Sequence, residues 1–294
     1  MRRKDLDIRI NKNKKATELI QVAMDRKLTN AEIEELKTLH TGYGGISDNT
    51  QYFTPEEVVQ YMIDSLDIFI DISKAKILEP SCGNGIFLRK LYEKNSMLDI
   101  TGVELNRELY LLNKICYEKA TIIEANTLDY LEDFKEKFDI VIGNPPFGAT
   151  KSNPEFPLSQ NRLEAQFVEL SLKALKPGGH FIMVLPTSIL SANSYIPLRQ
   201  KILDNFMVIQ SVELPDTTFC KSNTNVTTSI LHLMKIKNTK KTYETDYNVL
   251  MSTIEKIGFT KKGDKCENQL ENLIATLKEH HNKIKSNIDI LLKE

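Results

Sequence analysis

The chain is poor in the residues that announce a metal site, a disulfide scaffold or a membrane span. Its 294 residues hold four cysteines, Cys82, Cys116, Cys220 and Cys266, with no Cys-x-x-Cys spacing, and its five histidines form no ligand pattern with them. Structural zinc and a disulfide framework are therefore not expected, and no metal is assigned. No apolar run approaches the ~20 residues that cross a bilayer, and no charged-then-apolar leader opens the chain. The expectation is a soluble, cytoplasmic protein. An excess of one charge is missing too, since 40 acidic residues against 39 basic ones give a formal net charge of −1. Nothing in that balance demands a polyanionic partner, so any nucleic-acid surface has to be local. Arg2, Arg3 and Lys4 with Lys12, Lys14 and Lys15 form one candidate run, and Lys235, Lys237, Lys240 and Lys241 another. A solvated surface explains each run equally well. There is no internal repeat and no low-complexity segment.

What is present reads as one main domain with appendages. Residues 1–50 form a helix-prone, polar extension, in which Thr29 and Glu32 have the spacing of a capping box. The loop His40-Thr41-Gly42-Tyr43-Gly44-Gly45 follows. Within 51–240, short β-rich runs alternate with helical stretches, the signature of parallel strands joined by crossover helices. Strands are expected at about 76–79, 98–104, 120–124, 138–143 and 179–185. Two more, 206–214 and 226–235, have only a loop between them, which suggests an antiparallel pair at the sheet edge. Residues 241–294 read as a helical extension. In it Leu270, Ile274, Leu277, His281, Ile284, Ile288 and Leu291 trace a short heptad seam, for a helix packed on its own domain or docked on a partner.

Several motifs sit where strands end. Glu79-Pro80-Ser81-Cys82-Gly83-Asn84-Gly85 follows the first strand, and Gly83 and Gly85 let the backbone approach a ligand closely. Leu88 replaces the third glycine of a dinucleotide fingerprint, which argues against a pyrophosphate cradle. Glu79 would repel a diphosphate and attract an ammonium group. Glu104 closes the next strand, placing a carboxylate where two ribose hydroxyls can donate to it. Asn126 either reaches an adenine amino group or caps the following helix. Upstream, Thr54 as N-cap, Pro55 at the first helical position and Glu57 form a second capping box, with Tyr52 and Phe53 ahead of it. The positive end of that helix, beside Phe53 and Thr54, suits a carboxylate.

Asn144-Pro145-Pro146-Phe147 follows Phe138-Asp139-Ile140-Val141-Ile142-Gly143. The nitrogen of an aromatic amine is a poor nucleophile, because its lone pair is delocalised into the ring. The amide oxygen of Asn144 and the carbonyl of Pro145 can accept its two hydrogens, and Phe147 offers a face for the base. Pro145 and Pro146 fix the backbone that carries those acceptors. Such a tetrapeptide alone is an ordinary turn; its partners make it a site for methylating a planar amino nitrogen.

In this order, Phe53-Thr54-Pro55, Glu79 to Gly85 and Asn144 to Phe147, the motifs resemble the gamma group of N6-adenine DNA methyltransferases, especially the modification subunits of type I restriction systems. The resemblance covers residues 50–235. It implies an α/β, Rossmann-like class I fold with a seven-stranded, mostly parallel sheet, helices on both faces and the last strand inserted antiparallel. It implies S-adenosyl-L-methionine over Gly83 and Gly85, Pro80 and Ser81, with Phe53, Thr54 and Glu79 at its methionine end, Glu104 on its ribose, and Asn126 and Asn144 in contact. Arg162 to Leu175, then Pro177-Gly178-Gly179 and Leu185-Pro186, are also similar to this family. The stretch 214–228 resembles its target-base motif, and Phe219 matches the aromatic that stacks on a flipped adenine opposite Phe147. DNA is the expected substrate; RNA, a protein glutamine amide or a non-catalytic subunit are the alternatives. The 59 residues after Lys235 are short for a target-recognition domain, so a specificity subunit or a second copy docked on the C-terminal helix is expected to choose the sequence.

Overall fold

Apolar residues in adjacent positions of the central strands point to opposite faces of a sheet, and different helices cover each face. In β1 (Lys76–Glu79), Ile77 belongs to one buried cluster and Leu78 to another; in β4 (Phe138–Gly143), Ile140 and Ile142 face the first cluster and Val141 the second. The computed structural model describes residues 3–39, 53–159, 161–219, 226–237 and 245–293. Outside them lie the glycine-rich loop 40–45, Gln51 and Tyr52, Cys220 to Asn223, Lys240 and Lys241, and Arg2.

The other strands of the main sheet are β2 (Asp99–Glu104), β3 (Thr121–Glu124), β5 (Leu175–Pro186), β6 (Phe206–Leu214), β7 (Thr228–Lys235) and β8 (Leu250–Thr253). Their order is β3-β2-β1-β4-β5-β7-β6-β8, and β7 alone runs antiparallel to its neighbours. The sheet has eight strands rather than the expected seven. β8 was not expected, because Leu250-Met251-Ser252-Thr253 is short and half polar; it gains its backbone partners from the edge of β6. A small hairpin of β9 (Ile257–Phe259) and β10 (Lys265–Asn268) follows, so the segment after 241 is not all helical.

The helices are α1 (Arg3–Asp25), α2 (Asn30–Leu39), α3 (Glu56–Phe69), α4 (Ile86–Lys94), α5 (Arg107–Cys116), α6 (Leu131–Phe134), α7 (Leu163–Ala174), α8 (Ile196–Asn205) and α9 (Gln269–Leu292). Val58 and Leu66 of α3, Leu88 of α4 and Leu112 of α5 join the first face; Val168 and Leu172 of α7 and Leu198 of α8 join the second. The capping box at α2 is formed: Glu32 N–H donates to Thr29 Oγ1 at 3.3 Å, and Thr29 N–H donates to Glu32 Oε2 at 2.8 Å.

The seam of α9 is spent inside the domain. Leu277, Ile284 and Leu291 are buried against Met207 and Ile209 of β6 and Met234 of β7, with Phe69 of α3 and Ile288 packed alongside. Of the two readings of this seam, packing on the chain's own domain is the one seen, since the apolar faces of β6 and β7 bury that surface intramolecularly. Among the described residues, no helix is long and apolar enough to cross a membrane, and no cluster of three metal-ligating side chains occurs.

Candidate active site

Three parallel strands end side by side at the carboxyl edge of the sheet. β1 stops at Glu79, β2 at Glu104 and β4 at Gly143, one residue before Asn144. A cavity of about 770 Å³ opens there. Phe53, Thr54, Glu79, Pro80, Ser81 and Gly83 line one part of it, and Glu104, Asn126, Asn144, Pro145, Pro146 and Phe147 another. The site predicted from three separated motifs is thus brought together in one place.

Hydrogen bonds tie those motifs to one another. Asn144 Nδ2 donates to Thr54 Oγ1 at 3.1 Å, and Ser81 Oγ donates to the main-chain carbonyl of Asn144 at 3.3 Å. Thr54 therefore does not cap α3 as expected. Pro55 occupies the N-cap position with no side-chain cap, and the buried Thr54 hydroxyl serves Asn144 instead. Glu104 Oε2 accepts the Gly83 N–H at 2.7 Å, and Oε1 accepts the Asn106 N–H at 2.7 Å.

Electrostatics at this edge fit a cationic ligand. Glu79 is 1% exposed, and its Oε2 has no hydrogen-bond partner. Burial first, and the nearby Glu104 second, push its carboxyl up to about 8. Burial also raises Glu104, partly offset by the N–H groups of Asn106 and Gly83. Two buried acids with no ion-pair partner among the described residues form an environment that a sulfonium and an ammonium would relieve. The Cys82 thiol, buried beside them, is pushed up and stays protonated. A diphosphate would meet two acids, as the sequence suggested.

The glycines divide in role. Gly83 has φ +54, and a Cβ there would lie 3.1 Å from the Phe53 ring, so its backbone sits tight against Phe53 at the cavity wall. Gly85, with φ +77, is not among the lining residues. A Cβ there would come within 2.2 Å of Asn113 Oδ1 on α5. Its requirement is close packing of the loop on α5, rather than close approach to a ligand. Asn113, which sequence reading passed over as a helix residue, donates from Nδ2 to the Gly83 carbonyl at 2.9 Å and so supports the loop.

Asn126 is a cap that also lies at the cavity wall. Its Oδ1 accepts the Leu128 N–H at 3.3 Å, capping the short helical turn Thr127–Tyr130, and the residue lines the cavity. Phe147 is half-buried at the wall, but Phe219 is not. Only 5% exposed, Phe219 belongs to the apolar cluster that also holds Leu214, Ile254 and Ile257. An aromatic ring in a polar loop gains more from that burial than from solvent, and Phe219 is not among the residues that line the cavity.

Two residues the sequence did not single out hold the loop that follows Asn144 to Phe147. Glu164 of α7, 2% exposed, accepts the Gly148 N–H through Oε2 at 2.8 Å, while its Oε1 accepts the Tyr195 hydroxyl. The Gly148 carbonyl in turn accepts the Leu163 N–H at 2.9 Å. An acid at the start of a helix reads as a dipole partner, so nothing in the sequence marked Glu164 as a loop anchor.

Comparison with known proteins agrees with this geometry. A type II methyltransferase of Paramecium bursaria Chlorella virus XZ-6E is 30% identical over 194 residues, covering 63% of this chain and 48% of that protein. The methylase subunit of a type I restriction enzyme of Escherichia coli is 27% identical over 219 residues, covering 66% of this chain and 44% of that one. The chain thus spans about half the length of the curated relatives it matches. Among solved structures, a Listeria monocytogenes protein described as a "putative class I S-adenosylmethionine-dependent methyltransferase" superposes with a TM-score of 0.62 at 18% identity, covering 95% of this chain and 90% of that one. At that identity the likeness speaks to the fold alone. Residues 44–287 match the family described as N-6 DNA Methylase, a span that takes in the whole sheet and cavity. The chain belongs to that family of S-adenosylmethionine-dependent DNA methylases.

Proposed function

We propose that this chain transfers a methyl group from S-adenosyl-L-methionine to the exocyclic N6 of an adenine in DNA. The observation that carries the reading is the placement of Asn144, Pro145 and Phe147 in the same cavity as Glu79, Gly83 and Glu104. The names of the viral and bacterial relatives point the same way.

When bound, the cofactor supplies a methyl group on a cationic sulfur, which departs as a neutral thioether. Glu104 would accept from the ribose hydroxyls, in place of one of its present backbone donors. Glu79 would face the methionine ammonium, with Phe53 and Thr54 beside it. A base paired in a duplex hides N6 in the stack, so adenine has to be extruded into the cavity. Phe147 supplies a stacking face, worth ~1–3 kcal/mol per base, against an unpairing cost of a few kcal/mol. Asn144 Oδ1 and the Pro145 carbonyl accept the two amino hydrogens and turn the lone pair toward the methyl carbon. The amine so oriented would take the methyl that the bound cofactor supplies, and one amino proton would pass to solvent. Neither a metal nor a covalent enzyme intermediate is required.

Incubation with methyl-labelled S-adenosylmethionine and separate DNA, RNA and protein acceptors, followed by identification of the modified atom, tests the reading. Label on adenine N6 of DNA supports it. Label confined to RNA or to a glutamine amide replaces the substrate but keeps the chemistry, and no label on any acceptor refutes it.

A further inference from the structure

Sheet polarity decides which basic residues can meet a substrate at the cavity. β7 runs antiparallel, so Lys235 at its end lies at the amino edge, opposite Phe206 at the start of β6. Lys235 is also occupied, donating to Glu136 Oε1 at 2.9 Å and to the Leu175 carbonyl at 2.6 Å. Lys15 on α1 is paired with Glu35. Lys235 of the second basic run is therefore not presented at the carboxyl edge.

β6 and β8 run parallel to each other, and they end together there, with Glu213 beside Thr253. The chain leaving β8 enters the β9–β10 hairpin at that same edge. Gly258 places the hairpin against α3, where a Cβ on it would lie 3.4 Å from Glu57 Cγ, three residues beyond the cavity-lining Thr54. On its other side, Lys261 Nζ pairs with Asp216 at 2.7 Å. Asp216 sits two residues after the end of β6. The hairpin thus bridges the first turn of α3 and the loop after β6, at the sheet edge where the cavity opens.

Its turn is basic and braced. Lys261, Lys262 and Lys265 are exposed. Among the described residues, Lys262 and Lys265 have no ion-pair partner. The one acid within the turn, Asp264, is held to Thr260: its N–H donates to Thr260 Oγ1 at 3.2 Å, and its carbonyl accepts the Thr260 N–H at 2.9 Å. Glu267 is engaged by Asn272 Nδ2 at 3.2 Å and by Lys256 at 3.9 Å. At the base, Ile257 is fully buried and Gln269 Oε1 accepts the N–H groups of Glu255 and Lys256 at 2.9 and 3.0 Å. A braced turn carrying three ammonium groups is suited to phosphates, which are read as point charges without base specificity.

We propose that the β9–β10 hairpin is a backbone-phosphate contact for duplex DNA, made by Lys261, Lys262 and Lys265 beside the cavity mouth, with Asp216 releasing Lys261 when DNA binds. This rests on the DNA reading of the site given above.

Binding of the full chain to a fluorescein-labelled mixed-sequence duplex, followed by anisotropy across a salt series, tests it. Changing Lys261, Lys262 and Lys265 together to Ala is expected to reduce the slope of log affinity against log salt by about 2 to 3, given ~0.9 per phosphate contact. Cofactor affinity, measured by calorimetry in the same preparations, should not move. Asp216→Asn is expected to do the reverse and tighten binding several-fold, because it frees Lys261 and removes a negative charge. If the triple variant keeps the unaltered slope and affinity while the unaltered chain binds and methylates DNA, the hairpin inference falls and the proposed function stands. If the unaltered chain neither binds nor methylates DNA, both fall.

Discussion

The amide of Asn144 is held by the hydroxyl of Thr54, with Nδ2 donating to Oγ1 at 3.1 Å across 90 residues of sequence. Committing the nitrogen end in this way turns the oxygen end to a separate direction, which is what accepting from a substrate amine requires. Thr54→Val removes the acceptor from a buried site at nearly constant volume. The expected loss is about 1–3 kcal/mol, read as a fall in turnover of about five- to 150-fold. Thr54→Ser should restore most of it. A valine variant with unaltered turnover would remove Thr54 from the account.

Glu164 couples the loop after Phe147 to α7 by accepting from Gly148 and Tyr195. Glu164→Ala leaves a main-chain N–H and a phenolic hydroxyl without their acceptor, at a cost of about 1–3 kcal/mol. A thermal melt should drop by several degrees, and the Michaelis constant for the nucleic acid should rise more than the dissociation constant for the cofactor. Equal changes in both would make Glu164 a general core residue rather than a loop anchor.

Glu79 gives cofactor binding a pH signature. Its carboxyl, pushed up to about 8 by burial and by Glu104, is largely protonated at pH 7 when no cation faces it. A cationic ligand favours the carboxylate, so binding at pH 7 should release close to one proton. Calorimetry in buffers of different ionisation enthalpy measures that release directly. For folding without ligand the sign is the reverse of an ordinary salt-bridged acid. The folded chain holds the proton between the unfolded value near 4.5 and about 8, so this group's contribution to stability is present below that window and is lost as pH rises through it. Glu79→Gln should stabilise the ligand-free protein above pH 8 and abolish the proton release.

His180 and His232 make a buried pair across β5 and β7, Nδ1 to Nε2 at 3.0 Å, with Phe69 against both rings. Burial lowers His180 to about 3 and His232 well below its ordinary value. The unfolded chain takes up these protons near pH 6.5 and the folded chain does not, so stability falls as pH drops from about 6.5 toward 3. Denaturant midpoints at pH 7.5 and 5 should therefore differ. The difference should shrink in a double His180→Leu and His232→Leu variant, in which both polar partners are removed together.

The legible parts of this molecule are those where local chemistry and tertiary context agree. Strands β1 to β7 carry β-rich runs bounded by turn residues, Glu79 and Glu104 each end a strand and Asn144 directly follows one, so pattern alone located them. Thr54 was harder, because a Thr-Pro-Glu-Glu string satisfies the local rules of a cap, and only a partner 90 residues away draws the hydroxyl elsewhere. β8 and the hairpin were missed because their stability comes from the edge of β6 and from Gln269, not from their own apolar content. Phe219 and the seam of α9 show the same limit. An aromatic in a loop and a heptad on a helix state that something covers them, but the domain's own core does so here.

The most direct test of the central claim separates binding from transfer at Asn144. In Asn144→Ala, calorimetry should give a cofactor dissociation constant within about threefold of the unaltered chain, about 0.65 kcal/mol, while labelled methyl transfer to adenine N6 falls by at least about a hundredfold, about 2.7 kcal/mol. Transfer persisting at the unaltered rate in that variant would contradict the assignment of Asn144 as the acceptor that activates the amine.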